Sequence, residues 1–242
     1  MTPLRHRPQV TTVLWDLDGT LVRIHRRVFA SLMPLVASAA FADMLPPWQF
    51  LAALRQVLPR VRANDSAESN HDLLVGLIAE RTGCRSERVD ARLQWLSGVG
   101  FPLLRWCFRP RRGAPQLVAE LADRGLAQVV ATNPLWPLQT VRARLAWAGI
   151  DAGRFGFIAA GQTMSRSKPR VDYYRELLEK LGVEPQHCVM IGNDARNDVP
   201  ATALGIPVYL IDEDPRQSGN HTADPALLTI GRWAGLPTWL GL

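Results

Sequence analysis

Residues 9–20 read Gln9-Val10-Thr11-Thr12-Val13-Leu14-Trp15-Asp16-Leu17-Asp18-Gly19-Thr20, a run rich in Val and Thr that ends abruptly in a polar turn. β-branched and apolar residues bounded by turn residues predict a strand feeding a turn. Similar short apolar runs recur at 127–131, 155–160, 188–191 and 208–211, each beside a segment with helical spacing. Strands that alternate with helices and are apolar throughout predict an α/β fold, with a parallel sheet covered on both faces.

Working outward, the helices carry ordinary start and stop signals. Asn133 followed by Pro134 predicts an N-cap and a first-turn proline. Pro169 opens a segment ending at Leu181-Gly182, and Gly125, Gly149 and Gly205 stand where C-terminal glycines belong. Residues 22–112 show no strand signature, only a Leu-, Ala- and Arg-rich helical pattern broken at Pro46-Pro47, Pro59, Gly83 and Gly98. That is too long for one crossover helix, so it predicts an inserted helical domain of four or five helices, with 109–113 as the return hinge. The core domain then comprises 1–21 and 113–242.

With 47% hydrophobic and 21% charged residues in 242, the composition is globular and excludes a mostly disordered or fibrous chain. Cys84, Cys107 and Cys188 are odd in number and contain no CxxC pair, which gives no support to a disulfide framework or zinc knuckle and suits a reducing cytoplasm. The apolar stretch 28–42 follows His25-Arg26-Arg27 in the manner of a signal peptide. It is too short to span a bilayer, contains Pro34 and begins too far inside the chain for a cleaved leader, so it reads as a buried helix and no membrane association is expected.

Asp16 and Asp18 lie two apart past the end of a buried strand, where open parallel sheets meet ligands. Two carboxylates so close repel, and invite a divalent cation or a shared proton; the same residues would also make a turn with two solvated acids. The second strand ends in Ala131-Thr132-Asn133, offering a hydroxyl and the free N–H groups of a following helix, which together suit a phosphate oxygen. Lys168, one of only two lysines, precedes Pro169 and another helix, where a cation opposes the helix dipole and implies an anionic partner. The fourth run leads into Gly192-Asn193-Asp194-Ala195-Arg196-Asn197-Asp198, whose two acids share a face if the segment is helical.

At these residues the chain resembles the haloacid dehalogenase-like hydrolase superfamily. Its four motifs occur in order: Asp16-x-Asp18-Gly19-Thr20, Thr132, Lys168 before proline, and Gly192-x-Asp194-x-x-x-Asp198. The resemblance covers about residues 9–212. It implies a Rossmann-like five-stranded parallel sheet in the order 5-4-1-2-3, with 22–112 as a helical cap after the first motif. It also implies a phosphatase of a small phosphorylated metabolite working through an aspartyl-phosphate. Asp16 would be the nucleophile, and Asp18 the acid that protonates the leaving oxygen and then activates water. Magnesium would be held by Asp16, Asp194 and the backbone carbonyl of Asp18, with Asp198 behind it. Thr132, Asn133 and Lys168 would bind substrate; apart from the resemblance, the basic run His25-Arg26-Arg27 just after the first motif, at the hinge of 22–112, offers cleft contacts, with Arg26 the substrate-binding candidate. Trp15 departs from the Phe more usual before the nucleophile. Asp18 points away from dehalogenation, and the lack of lysine in 22–112 removes the Schiff-base route of phosphonate-cleaving relatives.

Net charge is +6, and fourteen arginines against seven acids place the excess in 22–112, where some arginines would face the cleft and most solvate outer helix faces. Trp95, Trp106 and Trp147 read as core and Trp136 as a wall of the site. His71, His187 and His221 lack metal-ligand spacing, and the tail with Trp233 and Trp239 reads as a short packing helix. Two other readings remain at this level. One is a phosphomutase that returns the phosphoryl group to a sugar. The other is a basic module binding nucleic acid, against which the intact acid set argues. Substrate identity and oligomeric state are not legible.

Overall fold

The computed structural model describes residues 10–213 and 224–242; Gln9 and His221 lie outside the described residues. In chain order the elements are β1 (Thr12–Trp15), β2 (Val22–Ile24), α1 (Arg26–Ala40), α2 (Pro47–Arg62), α3 (Asn70–Thr82), α4 (Ser86–Trp95), β3 (Phe108–Pro110) and α5 (Ala114–Asp123). They continue as β4 (Ala127–Val130), α6 (Leu138–Trp147), β5 (Phe157–Ile158), α7 (Val171–Leu181), β6 (Cys188–Gly192), α8 (Ala195–Asp198), β7 (Val208–Ile211), β8 (Leu228–Gly231) and α9 (Leu236–Leu240).

The main sheet is parallel, in the order β5-β4-β1-β6-β7-β8. The expected five-stranded sheet in the order 5-4-1-2-3 is thereby corrected to six strands in this order. β8 joins β7 at the edge, and the short strands β2 and β3 enter the chain numbering. β8 escapes the sequence reading because Leu-Thr-Ile-Gly is short and Ile230 is exposed, so no continuous apolar run marks it.

β1 is central because all four of its residues are buried, and its alternation feeds two cores. Val13 and Trp15 face Leu117, Val118 and Leu121 of α5 and Val141 and Leu145 of α6. Leu14 faces the other way, toward Tyr173, Tyr174 and Leu177 of α7. Trp15 Nε1 donates to Gln128 Oε1 at 2.9 Å, so the buried indole is satisfied. A third cluster lies among α1 to α4, where Phe41 and Phe50 stack with centroids 4.2 Å apart.

The segment between the first two main-sheet strands is helical but not strandless. β2 and β3 pair antiparallel at its base, Arg23 opposite Arg109, and β3 takes up part of the expected return hinge. Pro59 lies inside α2 without breaking it, and Gly98 lies within a single wide turn at Leu96–Gly100. Helix α1 is amphipathic instead of buried, with Ala37, Ser38 and Ala40 its buried residues and Leu35 62% exposed. Trp95 and Trp106 are also exposed, correcting their core assignment. Trp147 stacks on Phe101 at 5.5 Å as expected of a core residue. No helix among the described residues is long and apolar enough to cross a membrane.

Candidate active site

The carboxyl ends of β1, β4 and β6 converge on the turn after β1. That turn closes tightly because the N–H groups of Thr20, Leu21 and Val22 all bond the Leu17 carbonyl, at 3.2, 3.0 and 2.9 Å. Gly19 has φ of +103°, and a Cβ there would lie 2.3 Å from the Asn193 side chain, so both backbone and space demand glycine. Thr20 is fully buried and its hydroxyl donates to Asp16 Oδ2 at 3.2 Å.

The β6 end supplies the next groups. Asn193 turns its amide nitrogen to Thr20 Oγ1 at 3.1 Å, and to Asp16 Oδ2 and the Asp18 carbonyl at 3.2 Å each. The opposite orientation would set its oxygen against acceptors. Asp198 is fully buried; its Oδ2 accepts the Asn193 and Asp194 N–H groups at 3.0 Å each. Gly192 makes room for it, since a Cβ there would fall 2.0 Å from Asp198 Oδ2. Asp194 caps α8, accepting from the N–H groups of Arg196 and Asn197 at 3.1 and 3.3 Å and from Asn197 Nδ2 at 2.9 Å.

Lys168, 2% exposed, ties the two halves together: its Nζ donates to Asp198 Oδ1 at 2.6 Å and Asp16 Oδ1 at 3.3 Å. Burial alone would lower the ammonium, but the Asp198 and Asp16 carboxylates outweigh it and hold Lys168 above its ordinary value. Burial pushes the Asp16 carboxyl up to about 7, against the pull of Lys168 and with the help of the Asp198 and Asp18 charges.

Thr132 is buried at the end of β4, where its carbonyl accepts from Tyr173 Oη at 2.9 Å. Asn133 Nδ2 reaches the Lys168 carbonyl at 3.5 Å. The helix expected to start at Asn133 begins only at Leu138, with Pro137 as its N-cap. Prolines at 134 and 137 hold the intervening residues out of the helix, so no helix N-terminus points at Thr132. Arg26 Nη2 donates to the Asp18 carbonyl at 3.2 Å.

Two site residues, Asn193 and Arg144, escaped the sequence reading. Arg144 in α6 is 1% exposed and its Nη1 pairs with Asp18 Oδ2. Its guanidinium carbon lies 5.9 Å from the ring centroids of both Phe101 and Trp136, which places Trp136 beside the partner of Asp18. Burial lowers this guanidinium from its ordinary value, opposed by the Asp18 and Asp16 charges. The available signal was spacing: Thr140, Val141, Arg144 and Leu145 make up one buried face. Asp18 Oδ1, Asn133 Oδ1 and Arg144 Nη2 are buried without hydrogen-bond partners. Such atoms are costly unless a ligand completes them.

A hard divalent cation takes oxygen donors. Asp16 Oδ2 and the Asp18 carbonyl, both oxygens of the kind magnesium prefers, are neighbours in the turn, each 3.2 Å from the Asn193 amide nitrogen that bonds them. Asp194 stands beside them with its carboxylate turned to α8, and among the described residues no three His, Cys, Asp or Glu side chains form a metal-binding group. The chemistry of the donors fits magnesium.

Comparison with known proteins agrees with this arrangement. The family described as haloacid dehalogenase-like hydrolase matches residues 10–205. The CbbY protein encoded on a plasmid of Cupriavidus necator is 29% identical over 211 residues, 82% of this chain and 76% of that protein. A phosphoglycolate phosphatase of Rhodospirillum rubrum is 32% identical over 134 residues, 53% of this chain and 52% of the relative. The crystal structure of a HAD phosphatase from Thermococcus onnurineus superposes with TM-score 0.58 at 19% identity, over 96% of this chain and 98% of that one. At that identity it speaks to the fold alone. The motif order, the strand ends that carry it and the extent of the family match lead to one conclusion: this chain belongs to the haloacid dehalogenase-like hydrolases.

Proposed function

We propose that the protein is a magnesium-dependent phosphatase acting on a small phosphorylated metabolite, with Asp16 as nucleophile. The observation that carries this is the buried bridge Asp16–Lys168–Asp198, set beside a second acid, Asp18, with an unpartnered oxygen. The relatives named as phosphatases support hydrolysis over transfer to a sugar.

In this reading an Asp16 oxygen attacks phosphorus, and the bond to the leaving oxygen breaks. Asp18 gives that oxygen its proton, and the product alcohol departs from an aspartyl-phosphate. Asp18, now a carboxylate, takes a proton from water, whose oxygen attacks phosphorus and releases phosphate and Asp16. Lys168, Thr132 and Asn133 offset the charge of the transferring oxygens. Arg144 holds Asp18 Oδ2, leaving Oδ1 for the substrate or water. Magnesium, held by Asp16, the Asp18 carbonyl and Asp194 with Asp198 supporting them, would supply further charge neutralisation at the phosphoryl group. Residues 22–112 act as a cap that excludes water and shapes the pocket, with Arg26 at its hinge.

The test is a screen of phosphorylated metabolites for released phosphate, with magnesium and with excess chelator. Turnover that requires magnesium and is abolished by Asp16→Asn is expected. Full activity in chelator, or an active Asp16→Asn, would reject the reading.

A further inference from the structure

The base of the β2–β3 ribbon carries a second concentration of charge. Arg23 and Arg109 stand directly opposite each other in the antiparallel register. Like charges at such positions destabilise a strand pair. Arg26, one turn on, and Arg111, just past β3, complete a recess of about 410 Å³ whose polar lining is Arg23, His25, Arg26, Arg109 and Arg111 around Gly19. No carboxylate lines it.

Two of these arginines are anchored. Arg111 is 5% exposed; its Nη1 pairs with Glu213 at 2.7 Å and its Nη2 donates to the Gly19 carbonyl at 2.5 Å. Its Nε is buried with no partner. Arg26 is held by the Asp18 carbonyl. Arg23 and Arg109 are exposed and make no ion pair among the described residues. Burial lowers the Arg111 guanidinium, Glu213 opposes this, and the charge of Arg23 lowers it further. Guanidinium groups brought together this way repel unless an oxyanion sits among them, and their forked N–H groups match a phosphate bidentately.

We propose that this recess is an oxyanion site for a phosphate group other than the one transferred at Asp16. It backs onto Gly19, one residue from Asp18, so a phosphate there lies against the same turn as the reacting group. The phosphate can be the distal group of a bisphosphorylated substrate or free inorganic phosphate; the chemistry of recognition is the same.

The experiment compares wild type with the double variant R23Q/R109Q, neither residue being part of the catalytic constellation. Thermal unfolding in phosphate-free buffer is measured first. The double variant is expected to be at least as stable as wild type, because the opposed charges are gone. Added inorganic phosphate or pyrophosphate is expected to raise the wild-type melting temperature by several degrees more than that of the variant. Turnover is then measured on p-nitrophenyl phosphate, on alkanediol bisphosphates and on the matching monophosphates.

A wild-type preference of at least tenfold in kcat/KM for bisphosphates, lost in R23Q/R109Q while p-nitrophenyl phosphate turnover is unchanged, identifies the distal phosphate as the ligand. Stabilisation by phosphate that depends on Arg23 and Arg109, without a bisphosphate preference, identifies free phosphate. Equal stabilisation of both proteins together with no bisphosphate preference would overturn the proposal. The unfolding arm needs no turnover, so failure of the phosphatase reading leaves it intact as a test.

Discussion

At Asp18 the decisive partner is one arginine among twenty-six, on a helix that carries none of the four motifs. Arg144 is all but inaccessible, and removing it leaves Asp18 with neither oxygen paired. Breaking such a pair destabilises by about 3–5 kcal/mol. Arg144→Leu is therefore expected to lower stability in urea unfolding by that order and kcat by roughly a hundredfold, the low end of what one acid–base group contributes. Arg144→Lys, with charge but no fork, is expected to fall between. Gly192→Ala places a methyl on Asp198 Oδ2, and its effect is expected in activity as much as in a stability loss of about 1–3 kcal/mol. The Asp16 carboxyl titrates near 7 in the fold against 3.8 in the open chain, so the folded state holds its proton through that interval. Its contribution to stability is full below pH 4 and is lost as pH rises through 7. In chelator, unfolding free energy measured from pH 4 to 8 is expected to fall less steeply for Asp16→Asn than for wild type.

Among the elements, legibility followed apolar continuity. β1, β4, β6 and β7 were visible because both faces of each are covered, which makes every position apolar or nearly so. β8 and the β2–β3 ribbon were not, since edge and ribbon strands are short and their outer residues polar. The four motifs of the candidate site were legible as spacing along the chain; helical period marks Arg144 as part of a buried face, but its pairing with Asp18, like that of Asn193 with Asp16, is a contact between distant elements that no local pattern encodes. The docking of α3 is such a contact: the Asn70 and His71 N–H groups bond the carbonyls of Met164 and Gly161 at 2.9 Å each, and Asn70 Nδ2 reaches Ser167 Oγ at 3.3 Å beside Lys168. Asn70 is 1% exposed. Asn70→Ala is expected to cost about 1–3 kcal/mol and to speed limited proteolysis within 22–112 before the core is cleaved.

For the whole molecule, the helical segment is both a separate apolar cluster and a contributor to the main core. Phe101 and Phe108 pack on Trp147 at 5.5 and 5.6 Å and belong to the cluster that holds Trp15. Replacing 22–112 by a short linker thus strips the sheet of part of its cover, and the truncated protein is expected to bind a hydrophobic dye more strongly than the intact chain. The account as a whole stands on Asp16 forming a covalent bond to phosphorus. The most direct measurement is to mix the magnesium-loaded protein with a hydrolysed phosphate ester, quench in acid during turnover and map phosphoryl groups by mass spectrometry. A phosphoryl group on Asp16, absent from Asp16→Asn, is the predicted result; an active enzyme that carries none, or carries it on another residue, would contradict the account.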